Sequence, residues 1–129
     1  MQAYIWIGLG GALGSMARHW SAGLVNVIAG TGFPWGTLVV NVAGSLIIGF
    51  AAATLSNNGL FPSSQAFRQF LMVGICGGYT TFSAFSLETL HLLESGQWLS
   101  AIGNAGISIG LCVGAVWIGY IVGVFMSPR

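Results

Sequence analysis

The residues of this chain that can do chemistry are mostly neutral, closely spaced and set inside apolar stretches. Residues 73–88 read VGICGGYTTFSAFSLE. Gly77-Gly78 interrupts helical propensity within an apolar run, and β-branched Thr80-Thr81 follows it. A helix broken here frees backbone carbonyls, which membranes tolerate only inside protein or beside a cavity. Unwound carbonyls suit cations, whereas the N-termini of half-helices suit anions. Just beyond the break, Ser83 and Ser86 are three apart, with Phe82, Phe85 and Thr89 as a neighbouring stripe. Thr37, Asn41 and Ser45 recur every four residues, as do Asn104, Ser108 and Cys112. Each set shares one helix face. Such a face serves either hydrogen bonding between helices, at about 0.6 kcal/mol per contact, or a water-accessible path. Three such faces in so small a protein favour the path.

The ionisable inventory limits the mechanism. Glu88 is the only acid within these stretches and lies well toward the end of the third, and Glu94 lies at a boundary. Proton-coupled transport calls for an ionisable carboxylate deep in the membrane, and the first apolar stretch has none. Arg18 must snorkel or face a wet vestibule. His19 and His91 lack partners at ligand spacing, so neither a metal cluster nor a catalytic triad can be assembled. Cys76 and Cys112 both sit in apolar surroundings and read as small buried hydrophobes. A net charge of +1 provides no basic patch for nucleic acid.

The elements that carry these residues follow from composition. Of 129 residues, 55% are hydrophobic and only 4% charged, against about 25% charged in soluble domains. The mean hydropathy is +0.86. The chain therefore reads as one all-α membrane domain, residues 1–129. Four stretches reach the roughly 20 apolar residues a span requires: about 4–27, 34–55, 67–93 and 98–125. Turn chemistry separates them: Ala29-Gly30-Thr31-Gly32-Phe33-Pro34, then Asn57-Asn58-Gly59 and Pro62-Ser63-Ser64, then Glu94-Ser95-Gly96-Gln97. Pro34 suits the first turn of the second helix. Trp35 and Trp98 fall where aromatic belts lie. The first stretch lacks a basic leader and a cleavage site, so it reads as a helix and not as a signal peptide.

Small residues supply packing surfaces. Gly10 and Gly14 are four apart in the first span, and Gly106, Gly110 and Gly114 continue that spacing in the fourth. The orientation signal is weak. Arg68 and Arg129 are the only positive charges on one side, and the opposite loops have none. That balance permits insertion in both orientations, and with it an antiparallel homodimer.

The string GGYTTFSAFSLE, residues 77–88, resembles the signature of the small bacterial fluoride channels of the Fluc, or CrcB, family. GTLVVNVAG (36–44) and GALGSMARHW (11–20) match in the same order, so the resemblance covers essentially the whole chain. It implies a dual-topology, antiparallel homodimer in the bacterial inner membrane that conducts fluoride. The backbone carbonyls of Gly77 and Thr80 of both subunits would hold a central sodium ion. Phe82 and Phe85 match the paired phenylalanines of the fluoride pathways. Asn41 matches an asparagine beside them, Arg18 an arginine of the first span, and Ser108 a hydroxyl in the fourth. Asn104 and Cys112 depart from the tyrosine and serine that family members can carry.

The residues suit that chemistry on their own terms. Fluoride is small and strongly hydrated, so a selective pore must replace its water with donors. Thr37, Asn41, Ser83 and Ser108 carry such donors, and the ring edges of Phe82 and Phe85 carry partial positive charge. Neutral donors avoid a deep trap, as conduction requires. The competing readings are a small multidrug-type exporter, which would need an acid in the first span, and a non-conducting assembly subunit whose polar faces only hold a partner. An intramembrane enzyme is more remote still.

Overall fold

The computed structural model describes residues 1–56, 59–61 and 63–127. The expected turn residues Asn57, Asn58 and Pro62, and the charge of Arg129, lie outside the described residues. Among the described residues every regular element is helical. Helix α1 spans Gln2–Ala29 and α2 spans Trp35–Thr54. The third long segment is broken into α3, residues 65–79, and α4, Phe82–Glu94. Helix α5 spans Trp98–Met126. Each of the four segments, with α3 and α4 taken together, matches an expected stretch to within two residues at either end.

Three of these segments are long and apolar enough to cross a membrane: Trp35–Thr54, Gln65–Glu94 and Trp98–Met126, with mean hydropathies of 1.8, 1.4 and 2.2. Helix α1 has the length, with 28 residues, but Ser15, Arg18, His19, Ser21 and Asn26 dilute its apolarity. The ends follow from turn chemistry. Gly30 closes α1 at a φ of +83°, its N–H bonded to the Asn26 carbonyl. Gly96, at φ +77°, closes α4 with a Schellman pair: Gln97 N–H to the Leu92 carbonyl and Gly96 N–H to that of Leu93. Pro34 stands one position earlier than expected, as the residue capping α2, and its carbonyl accepts from Leu38 N–H at 3.1 Å.

The helices pack as two pairs, α1 on α3 and α2 on α5. In the first pair glycine meets glycine. A Cβ at Gly10 would strike the Phe70 carbonyl and the Gly74 backbone, and one at Gly14 would strike the Ile75 carbonyl and Tyr79 nitrogen. This bears out the packing role expected of Gly10 and Gly14. The fourth segment corrects the expectation. Nothing lies within 4 Å of a Cβ built at Gly106, Gly110 or Gly114. Helix α5 instead meets α2 through Gly119, against the Leu46 carbonyl, and Gly123, against Phe50 and Ala53; Gly49 of α2 meets Val116. The buried face of α5 runs through Ala101, Asn104, Ser108, Ala115, Gly119 and Gly123. The two series of small residues have the same spacing, and only the partner helix selects between them.

Between α3 and α4 the chain is extended over Thr80 (φ −89°, ψ 157°) and Thr81 (φ −151°, ψ 113°). Upstream, Gln69–Cys76 is wound as a π-helix, a local widening that often accompanies functional sites.

Replacing Gly14 or Gly119 by valine forces these backbones apart. Each variant is expected to lose at least 1–3 kcal/mol of stability, roughly the range for overpacking. The readout is a lowered thermal midpoint and a lost monodisperse peak in detergent. Gly8→Ala, with open space at its Cβ, is expected to behave like the parent.

Candidate functional site

The site is built on the break. In an uninterrupted helix Thr81 N–H would bond to the Gly77 carbonyl, and Ala84 N–H to the Thr80 carbonyl. Neither bond forms here. Thr81 N–H donates to Asn41 Oδ1 of α2 at 2.7 Å, and Asn41 Nδ2 donates to the Thr81 carbonyl at 3.0 Å. Ala84 N–H donates to Thr81 Oγ1 at 3.1 Å, so Thr81 caps α4. Upstream, Thr80 N–H and Thr80 Oγ1 both donate to the Cys76 carbonyl at 3.0 Å. Two captures thus remove the helical partners of Gly77 and Thr80, the two residues named as cation ligands. A carbonyl deprived of its N–H beside a cavity fits a hard cation.

Gly77 and Thr80 line a cavity of about 370 Å³, together with Asn41, Phe82, Phe85 and Ser108. Ser45 and Cys112 also contribute to its wall. The two rings face each other at 5.2 Å between centroids and 45° between planes. They differ in setting: Phe85 is 8% exposed and Phe82 is 76% exposed. Ser108 is buried, and its Oγ donates to Asn104 Oδ1 at 3.3 Å. Asn104 Nδ2 donates to Thr89 Oγ1 at 2.8 Å, and Thr89 Oγ1 to the Phe85 carbonyl at 2.7 Å. This polar chain ties α5 to the first turns of α4.

The remaining candidates gather elsewhere. Arg18, Thr37 and Ser83 line a second cavity of about 530 Å³, with Ser15 and His19. Thr81 lines both cavities. The three polar faces are thus shared between two cavities, both of them lined by Thr81 at the capped break. Thr37 Oγ1 donates to Glu88 Oε1 at 2.7 Å, so α2 holds the Glu88 carboxylate from a neighbouring helix. Ser83 Oγ lies 3.2 Å from Thr81 Oγ1. Asn41 uses its carbonyl oxygen and one N–H on Thr81, which leaves its second N–H for the cavity.

Thr81 escaped the sequence reading as a cap, although a threonine ahead of an apolar helical run is an N-terminus signal. Ser15 escaped it too; its Oγ reaches the Gly78 carbonyl at 3.5 Å across the α1–α3 contact, and no spacing within α1 reports that.

The family model described as "CrcB-like protein, Camphor Resistance (CrcB)" matches residues 5–120. The chain belongs to the CrcB-like family. Three relatives within it carry the name "Fluoride-specific ion channel FluC". The protein of Opitutus terrae is 52% identical over 127 residues, covering 98% of this chain and 96% of its own. Those of Methylocella silvestris and Rhodospirillum rubrum are each 46% identical over 124 residues, covering 96% of this chain and 95% and 96% of their own. With three helices fit to cross a bilayer, this CrcB-like chain is a multi-pass membrane protein.

Asn41→Ala leaves the Thr81 N–H and carbonyl without their partners. It is expected to destabilise the fold by about 1–3 kcal/mol, the usual cost of stranding a buried polar group. Thermal unfolding of the purified protein checks this.

Proposed function

We propose that the chain is a fluoride-selective channel that lets the ion leave the cell passively, without an energy source. The observation that carries the proposal is the pair of captures at the break. Asn41 and Thr81 take the N–H groups that would have closed the helix, beside a cavity walled by Phe82 and Phe85. Near-full-length similarity to proteins named as fluoride-specific channels supports the identity of the ion.

The working protein is an antiparallel homodimer in the bacterial inner membrane, inserted in both orientations, with α1 crossing as a fourth span. Three features support this. A strip of α5 at Gly106, Gly110 and Gly114 has nothing packed on it within the chain. Phe82 is largely exposed beside the break. Helix α1 is joined to α3 through Gly10, Gly11 and Gly14, so it runs beside a segment apolar enough to span.

The roles follow from the chemistry of each group. The carbonyls of Gly77 and Thr80, contributed by both subunits, would hold a sodium ion, which supplies fixed positive charge and raises the local affinity for anions. Phe82 and Phe85 offer ring edges to the anion. Asn41 offers its remaining N–H, held in place by its two bonds to Thr81. The Thr81 bonds fix Asn41 with its nitrogen as donor and its oxygen already occupied, so the amide does not turn its negative end to the anion. Ser108 and Ser83 carry hydroxyls that can turn from their present partners to a passing ion. Arg18 lends positive charge to the wider second cavity, and Thr37 forms its wall. Every direct partner of fluoride is neutral, so binding stays shallow enough for release. The first helix lacks the acid that proton-coupled drug export needs.

Fluoride efflux from liposomes, with chloride as the competing anion, tests the assignment. Phe82→Ile and Phe85→Ile are each expected to slow fluoride efflux about tenfold or more, the rate equivalent of ~1.4 kcal/mol of lost anion stabilisation. Efflux that neither substitution changes would remove these rings from the path.

A further inference from the structure

A third cavity, of about 500 Å³, lies where the end of α4 meets the turn into α5 and the loop after α1. Glu88 and His91 both line it, with Thr31 and Gln97. They are three residues apart on α4, so their Cβ atoms rise from one face about 5–6 Å apart. This spacing gives His91 the partner that the sequence reading denied it: Glu-x-x-His lets one helix offer two ligands to one metal ion in four-helix carboxylate proteins.

The state of Glu88 points to a ligand. Its Oε1 accepts from Thr37 Oγ1, while its Oε2 is buried and without a hydrogen-bond partner. A carboxylate oxygen in that state is costly, and a bound water or ion is the ordinary resolution. The surroundings supply further donors of electron pairs. Gln97 Nε2 is spent on Ser95 Oγ at 3.2 Å, which leaves the Gln97 side-chain carbonyl oxygen to accept. Among the described residues the His91 ring makes no hydrogen bond and no lysine or arginine lines the cavity.

We propose that Glu88 and His91 form a binding site for a divalent transition cation of the zinc class. Imidazole with carboxylate is a donor pair that such ions favour, more than magnesium or calcium do. The Gln97 carbonyl, the Thr31 hydroxyl and water fill the remaining positions. Among the described residues no group of three or more His, Cys, Asp or Glu could hold a metal ion. With two strong protein ligands the site is an exchangeable one, unlike the closed four-ligand sites that build folds. It is independent of the fluoride assignment, although Thr37 joins the two regions by bonding Glu88 while lining the second cavity.

Calorimetric titration of zinc into the untagged, full-length protein in detergent tests the site. One saturable site per chain is expected. His91→Gln and Glu88→Gln, which remove ligands outright, should each weaken it at least about tenfold, the lower end of what losing only a group behind a ligand costs. Glu88→Gln keeps an acceptor for Thr37, and His91 is exposed, so both variants retain the fold's contacts. His19→Gln, at the chain's other histidine and in the second cavity, should leave binding unchanged. No saturable binding, binding that survives both first substitutions, or loss on His19→Gln instead would overturn the proposal.

Discussion

The side-chain amide of Asn41 holds both backbone hydrogen-bonding groups of Thr81, and much of the molecule is arranged around that pair of bonds. A broken helix in an apolar setting strands polar groups that water cannot reach. Here α2 reaches across to satisfy Thr81, and the Thr81 hydroxyl satisfies the first turn of α4. The N–H groups are thereby provided for, whereas two carbonyls upstream are deprived. That asymmetry gives the break its character: open oxygens at Gly77 and Thr80, and a helix start with aromatic rings just beyond.

The glycine contacts serve the same end. Ser15 can meet the Gly78 carbonyl only because α1 and α3 approach to backbone contact at Gly10, Gly14, Gly74 and Gly78. The α2–α5 contact through Gly49, Gly119 and Gly123 sets the two helices that carry Asn41 and Ser108 side by side. Helix α4 is held more by polar bonds than by close packing: Thr37 to Glu88, and Asn104 to Thr89. The result is a helix start fixed in place by directional bonds, which suits a wall along which an ion must be both recognised and released.

Much of this was legible in the sequence, for identifiable reasons. Composition and stretch length predict the helices, because a bilayer leaves few alternatives to them. The break is legible because Gly77-Gly78 and Thr80-Thr81 oppose helix formation in consecutive positions. Periodicity sets Asn41, Phe82, Phe85 and Ser108 each on a narrow face of its own helix, and the resemblance to the fluoride channels groups them. What periodicity does not report is the neighbour. It gives Gly106, Gly110 and Gly114 the same standing as Gly119 and Gly123, although only the latter meet α2. It shows Thr37 as a free donor, where its hydroxyl already donates a hydrogen bond to Glu88. It treats the polar faces as one path, where they are shared between two cavities, both lined by Thr81. Each of these depends on a contact between residues distant in the chain.

The central claim is that a path built from neutral donors, ring edges and a fixed cation passes fluoride and refuses chloride. The reversal potential of purified protein in a planar bilayer, with fluoride on one side and an equal concentration of chloride on the other, tests it most directly. The account predicts a reversal potential displaced far towards the fluoride equilibrium value. A reversal potential near zero, with chloride carrying current as readily as fluoride, would contradict it.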